Sequence, residues 1–225
     1  MLEGLKIIEL GMAVAGPVIV SYFCHYGATA VRVESSKKID SMRTTPPYWQ
    51  RKPGINRSLH VSNLNANKYS ILLDLKTEKG KEIFRKLTRW ADIIVENYRA
   101  GTLKKLGLGY EDLVKENDRL IMVSTTTQGQ TGPYAKKVAG FGLHVESMAG
   151  FVNITGWPDR EAVLGGGLQT DYISGKYSVA ALIAALIHRN KTGRGQYIDV
   201  SHIESTLHFL EPLILDYTVN GHVAQ

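Results

Sequence analysis

Leu5-Lys-Ile-Ile-Glu-Leu-Gly-Met-Ala-Val-Ala-Gly-Pro17 is the stretch on which the fold turns. A β-branched run stops at Gly11, and Ala15-Gly16-Pro17 then opens an apolar segment over 18–26 with proline in a favoured first-turn position. The pattern predicts strand, tight loop, helix. Further on, Ala30-Val-Arg-Val-Glu34 and Tyr69-Ser-Ile-Leu-Leu-Asp-Leu75 read as strands. Thr77 starts a charged helix whose apolar stripe is Ile83, Phe84, Leu87 and Trp90. A strand over 91–96, a short helix over 103–108 and a strand over 120–124 follow. Strands that are nearly continuous in apolar residues and alternate with helices mark a parallel sheet covered on both faces, so the expected class is α/β.

Between Glu34 and Tyr69 the chain is polar and rich in proline, too long for an ordinary connection, and reads as a functional loop or flap. The last third changes character. Residues 172–189 predict a long helix buried on most faces, 197–200 a strand, and Ser201 the cap of a final amphipathic helix reaching 215.

Composition narrows the function. With 27 Lys and Arg against 21 Asp and Glu, the 225-residue chain carries a formal charge of +6. The basic residues come in short groups such as Lys104/Lys105 and Lys136/Lys137, with no RNP-like segment, finger spacing or basic zipper, so a small polyanionic ligand accounts for the charge better than nucleic acid. One cysteine, Cys24, excludes an intramolecular disulfide framework and a multi-thiolate zinc site. The start MLEGLKIIELG lacks the order of a signal peptide, and the apolar run over 179–187 is about half of what a bilayer requires. A cytoplasmic chain without a membrane span is the expectation.

In open parallel sheets ligands bind beyond the carboxyl ends of strands, which directs attention to the loops there. Gly11 to Pro17 is one. It is not a dinucleotide fingerprint, and two readings stay open: glycines for a tight turn, or a backbone approach to an adenine or pantetheine group. Gly165-Gly-Gly-Leu-Gln-Thr-Asp171 is the strongest constellation. An aspartate at a helix start accepts helix N–H bonds and stays ionised as an N-cap; equally, a glycine run beside a carboxylate supplies a nucleophile and an oxyanion site for acyl transfer. Spacing does not decide between them. The seven histidines show no metal-ligand pair on one helical face, His202 and His208 do not converge, and neither a Gly-x-Ser-x-Gly elbow nor a P-loop is present. No metal site is expected.

Taken in order, Leu5-Lys-Ile-Ile-Glu-Leu with Ala15-Gly-Pro17, Gly27-Ala-Thr-Ala-Val-Arg-Val-Glu34, Asn67-Lys-Tyr-Ser-Ile-Leu-Leu-Asp-Leu-Lys76, Ala91-Asp-Ile-Ile-Val-Glu-Asn-Tyr98, Thr170-Asp-Tyr-Ile-Ser-Gly175 and Lys191-Thr-Gly-Arg-Gly-Gln196 resemble the family III CoA-transferases, the formyl-CoA and carnitine CoA-transferase group. Thr170 to Gly175, Asn56-Arg57 and Asp216 to Gly221 resemble the carnitine branch most. The resemblance implies a Rossmann-like, doubly wound large domain that binds coenzyme A as part of its acyl-CoA substrate, without metal. It implies that Asp171 is the nucleophile, forming a mixed anhydride with the acyl group and then an aspartyl-CoA thioester, before a carboxylic acid accepts the CoA. It carries CoA contacts to Ala13, Val14 and Ala15, to Leu73 and Lys76, and to Asn97, Tyr98 and Lys105, with Lys136 or Lys137 as a further phosphate partner.

Three departures shape the expectation. Where the related α-methylacyl-CoA racemases carry Gly-His, this chain has Gly140-Phe141, which weakens isomerase chemistry; helix spacing would turn His144 away from the direction of Phe141. Ser35 stands where formyl-CoA transferases have arginine. Chains of the family are nearly twice as long, with a smaller second domain and two subunits interlocked as a dimer. The expected division is therefore a large domain over 1–215 and, over 216–225, the start of a linker to a small domain absent from the sequence. Its partners would be a second interlocked subunit or a complementary C-terminal chain. The alternatives are a racemase-like isomerase and a non-catalytic CoA-binding half-subunit.

Overall fold

A computed structural model describes residues 1–166 and 168–224. Six strands, β1 (Lys6–Leu10), β2 (Thr29–Glu34), β3 (Lys68–Leu72), β4 (Ile93–Glu96), β5 (Ile121–Thr126) and β6 (Tyr197–Ser201), form one sheet in the order β3-β2-β1-β4-β5-β6. Every neighbouring pair is parallel. The connecting helices are α1 (Ala15–His25), α2 (Leu59–Leu64), α3 (Glu78–Trp90), α4 (Thr102–Lys105), α5 (Tyr110–Leu113), α6 (Gly142–Ala149), α7 (Gln169–Thr192), α8 (His202–Leu207) and α9 (Glu211–Asn220). The winding reverses between β1 and β4, where Ile7 pairs with Ile93 and Leu10 with Glu96. Loops diverge at such a switch point and leave a crevice at the carboxyl ends of the strands. This is the expected Rossmann-like, doubly wound α/β layout.

Side chains alternate across the sheet, and the alternation builds two cores. Ile7, Ile93 and Ile121 pack with Val18, Ile19 and Phe23 of α1 and Leu182 of α7. Their neighbours Ile8, Ile94 and Met122 face the other way, onto Phe84 of α3 and onto Leu103, Leu108 and Leu113 around α4 and α5. Thr77 caps α3 by accepting from the Gly80 N–H at 3.1 Å, as its sequence position predicts. Cys24 is buried in the first core, and burial pushes its thiol up to about 11, which removes it as a nucleophile at neutral pH.

The C-terminal third differs from its expected form. α7 is not buried on most faces: Ser174, Ser178, Leu182 and Ala185 make one buried stripe, while Tyr177, Ile183 and Ile187 are exposed. Overall apolarity misled the reading, since its Ala and Leu residues run around the helix rather than along one side. The expected last helix is divided into α8, a 3-10 turn over His208–Leu210 and α9, and α9 continues past 215 to Asn220. Pro212 lacks the N–H needed to continue the helix across that junction, and sits instead in the first turn of α9. The long polar connection contains two 3-10 turns and α2, and its start folds over the crevice.

Gly193 and Gly195 explain the Lys191 to Gln196 segment, which resembles no phosphate loop. Gly193 ends α7 at φ 78°, and a Cβ on Gly195 would lie 1.9 Å from the Leu120 carbonyl oxygen. Backbone on both sides leaves nothing to yield. Gly195→Ala is expected to lower stability by about 3 kcal/mol or lose the fold altogether, read by thermal unfolding; an unchanged midpoint would show that β6 can part from the start of β5.

Candidate active site at the sheet switch point

The loop after β1 is fixed from two directions. Asn97, one residue beyond β4, accepts from the Met12 N–H at 2.7 Å through Oδ1 and donates through Nδ2 to the Met12 carbonyl at 2.8 Å. The Ala13 N–H donates to both carboxylate oxygens of Asp40, each at 3.2 Å, and Ala13 sits at φ 56°, in the left-handed region. Close packing at the turn needs glycine: a Cβ on Gly16 would lie 2.8 Å from Gly11 Cα. The tight-turn reading thus accounts for the glycines. Met12 and Ala13 spend their N–H groups inside the protein, so what the loop offers a ligand is the surface of Met12, Ala13, Val14 and Ala15, which lines a cavity.

Asp171 lies across that cavity. It is not the N-cap of α7; that position is Leu168, without a side-chain hydrogen bond, and Asp171 is the third helical residue. Nor does it have the low pKa expected of a cap. Burial, then the field of Glu146, push its carboxyl up to about 7, opposed by the Gly142 backbone N–H. The helix N-terminus contributes about 0.3–1 kcal/mol toward ionisation, and desolvating a carboxylate costs several, so burial wins. Of the glycine run, Gly167 lies outside the described residues. The amide set against Asp171 comes from Gly142 at the start of α6.

His202 is the second group at the site, and it went unassigned on the sequence. Its Nδ1 is 3.6 Å from Asp171 Oδ1, and its Nε2 is 2.8 Å from Thr125 Oγ1. Burial drives its pKa down to about 4, so the ring is neutral at pH 7 and the contact is not an ion pair. A Thr125 hydroxyl donating to Nε2 puts the ring hydrogen on Nδ1, toward Asp171. The signal was available: His202 directly follows β6, at a strand's carboxyl end. Glu146, 1% exposed on α6, was also missed, because α6 carries no strong apolar period.

His144 does not turn away from Phe141. Phe141 precedes α6 in extended backbone and His144 is the third residue of that helix, so the ring folds back and Nδ1 accepts the Phe141 N–H at 3.1 Å. Both line the cavity with Asp171. Helical spacing failed as a guide because Phe141 is not helical.

The cavity holding Asp171 measures about 480 Å³ and also receives Asn97 and Tyr98. A second cavity, about 520 Å³, receives Leu73 and Lys76 together with Lys37 and Ser35. Met12, Lys38 and Tyr98 line both, which makes one groove running from Asp171 over the switch point to the end of β3. The groove gathers eight of the ten residues expected at the site. Lys105 and Lys137 line neither cavity; both are exposed at its margin, as is Lys136, whose Cε approaches Gly101. A larger space of about 770 Å³ opens at the other end of the sheet, beside Leu5, Asp92 and Asn190, away from these groups.

A charge network holds the flap over the groove. Arg32, 3% exposed, donates to Glu9 Oε1 at 2.7 Å, is hydrogen-bonded to Asp40 and has Nε 3.3 Å from Glu34. Lys68 completes Glu9 with a 2.6 Å bond to Oε2. Arg43 grips Glu34 with two bonds, of 2.6 and 2.8 Å, and with burial opposing it this holds Glu34 down to about 2. Asp40 therefore links the sheet, through Arg32, to the Ala13 loop. Among the described residues no three His, Cys, Asp or Glu side chains are grouped as a metal site, and no helix is long and apolar enough to cross a membrane.

A doubly wound parallel sheet with a groove across its switch point and a buried carboxyl at one end places the chain in the Rossmann-like α/β class, with its candidate site at the carboxyl ends of the strands. The sequence pattern of "CoA-transferase family III" matches residues 2–225, and the chain belongs to that family. It is 38% identical over 98% of its length to the succinate–glutarate CoA-transferase of Agrobacterium fabrum, covering 55% of that protein. It is 36% identical over its full length to the succinyl-CoA–D-citramalate CoA-transferase of Chloroflexus aurantiacus, covering 54%. A CAIB/BAIF family protein from Brucella suis superposes with a TM-score of 0.91 at 37% identity, over 99% of this chain and 58% of that one. The chain thus spans about half the length of the curated relatives it matches. They give the carnitine branch no support.

Proposed function

We propose that this chain supplies the CoA-binding and nucleophile-bearing part of an acyl-CoA:carboxylate CoA-transferase. The observation that supports it most is the single groove that begins at the buried Asp171 carboxyl and ends among Lys37, Lys38 and Lys76. A CoA thioester laid along it puts its phosphates by the lysines, its pantetheine arm over Met12 and Tyr98, and its carbonyl at Asp171. An Asp171 oxygen attacks that carbonyl; the C–S bond breaks, its electron pair leaves with CoA sulfur, and an aspartyl-acyl anhydride remains. The thiolate then attacks the Asp171 carboxyl carbon and expels the first carboxylate, leaving an aspartyl-CoA thioester. An incoming carboxylate repeats the two steps in reverse order and departs as the new acyl-CoA. The relatives' names favour dicarboxylates, so succinyl-CoA with glutarate is the pair to try first. In this reading 1–215 form a large domain, 216–225 lead toward a further domain, and an interlocked second subunit or a complementary chain completes the site.

The test is to incubate the intact protein with succinyl-CoA and hydroxylamine and to look by mass spectrometry for a hydroxamate at Asp171. CoA binding without any adduct or transfer would make the chain a non-catalytic CoA-binding partner instead. A second reading, proton transfer at an α-carbon, is favoured by one observation, the His144 ring in the Asp171 cavity. Deuterium exchange into a 2-methylacyl-CoA without acyl transfer would establish it over the first.

The raised carboxyl gives a signed pH dependence. Only the anion attacks, and with the group at about 7 roughly one tenth is ionised at pH 6. The value of kcat/KM is expected to rise about tenfold between pH 6 and pH 8. A profile flat across that range would show that Asp171 is ionised well below it. The same shift means that the fold favours the neutral acid, so Asp171 costs stability as pH rises from its ordinary value through about 7.

A further inference from the structure

Among the described residues six buried polar side-chain atoms have no hydrogen-bond partner, and one of them, His202 Nδ1, lies 3.6 Å from Asp171 Oδ1. The ring is held from two sides. Its backbone opens α8, where Ser201 Oγ accepts the Glu204 N–H at 3.4 Å and the His202 carbonyl accepts from Thr206 Oγ1 at 2.7 Å. Its Nε2 is met at 2.8 Å by Thr125 Oγ1 on β5, which makes no other side-chain hydrogen bond among the described residues. A buried hydroxyl hydrogen without an acceptor costs about 1–3 kcal/mol, so Thr125 donates to Nε2 and the ring hydrogen sits on Nδ1. That hydrogen faces Asp171 inside the cavity that both residues line.

The contact lies where charge must develop. In two steps of the proposed transfer the Asp171 carboxyl is itself the electrophile: CoA thiolate attacks its carbon in the anhydride, and the incoming carboxylate attacks it in the aspartyl-CoA thioester. As the new C–S or C–O bond forms, the carbonyl electron pair moves onto the Asp171 oxygen. It returns when the first carboxylate or the thiolate leaves, and no proton is transferred. A neutral ring N–H suits this task, because it stabilises the oxyanion and keeps its own proton. Burial, which holds the His202 pKa down to about 4, keeps the ring neutral throughout. Contacts of this kind tighten as charge develops, and a small turn of either side chain closes the gap.

We infer that His202 is a catalytic residue: its Nδ1–H donates to Asp171 Oδ1 and stabilises the oxyanion formed whenever the Asp171 carboxyl carbon is attacked, with Thr125 fixing the ring hydrogen on Nδ1. The assignment rests on Asp171 being the nucleophile. In the other two steps charge builds on the acyl oxygen of the substrate, and those steps do not use the His202 donor.

Amide variants separate the two ring nitrogens. An asparagine amide reaches the place of Nδ1, and a glutamine amide, one carbon longer, reaches that of Nε2. In the intact protein with succinyl-CoA, His202→Gln should slow formation of the aspartyl-CoA adduct about 10²-fold, read by rapid-quench mass spectrometry, with CoA affinity kept within about twofold. His202→Asn should recover most of that rate. An undiminished rate in His202→Gln, or equal losses in the two variants, overturns the role of His202 and leaves Asp171 as the nucleophile. No adduct in the unaltered protein, or one that persists in Asp171→Ala, overturns the nucleophile reading and this assignment with it. Nitrogen NMR of histidine-labelled protein at pH 7, without substrate, gives a readout independent of turnover. The resonances lost in His202→Gln should be those of a ring protonated on Nδ1, and a ring protonated on Nε2 overturns the proposal.

Discussion

Asp171→Ala is expected to lower CoA transfer at least about 10³-fold and to abolish the hydroxamate formed with hydroxylamine, while thermal unfolding stays near or above that of the unaltered protein. The two halves of the expectation come from one fact. The Asp171 carboxyl is held in a space that penalises its charge, so removing it relieves the fold even as it removes the proposed nucleophile. An N-capping aspartate would behave in the opposite way, losing about 1 kcal/mol of stability on the same substitution. Asp171→Asn separates reactivity from shape, because the amide fills the same volume and cannot form the anhydride. Transfer within tenfold of normal in either variant would remove Asp171 from the chemistry.

Arg32→Met carries a large expected effect on stability, a loss of about 3–5 kcal/mol read from denaturant unfolding. Methionine replaces the volume of the side chain and none of its donors. Glu9, fully buried, would retain only Lys68, while Asp40 would lose its cation but keep the N–H groups of Ala13 and Met42. Burial works against the Arg32 charge, yet Glu9, Asp40 and Glu34 together hold it above its ordinary value, so the network favours the guanidinium where it stands. The effect should reach the groove. Asp40 is what holds the Ala13 N–H, and a released loop would weaken CoA binding as well as the fold. A variant as stable as the parent would show that the buried carboxylates find other partners or water.

The strands and the doubly wound class were legible because parallel strands covered on both faces must be apolar at nearly every position, which marks them whatever their neighbours do. Ile7/Ile8, Ile93/Ile94 and Ile121/Met122 send alternate side chains to two different cores. The candidate site was legible in part: the Gly11 to Pro17 loop through its place after a strand, and Ala13 to Ala15, Leu73, Lys76, Asn97 and Tyr98 through the family resemblance. Lys105 and Lys137 were named from charge and resemblance, and charge on a helix or loop does not say which way a side chain faces. Glu146 escaped, and His144 was aimed the wrong way, because α6 is a short helix of mixed polarity whose place is set by contacts with α7 and α8. A charged residue at one of its buried positions looks, on the page of sequence, like any solvated glutamate.

What the sequence determined by itself is the class of the fold, the strands in their chain order, and the family, since periodicity and segment order are local properties carried by adjacent residues. Tertiary structure alone decided that Asp171 is a buried acid near neutrality rather than an ionised cap, that His202 and Glu146 stand beside it, and that the two ends of the groove meet at Met12, Lys38 and Tyr98. The reason is the same in each case. A pKa depends on the water excluded and the charges brought near, and both are supplied by residues tens of positions away in the chain.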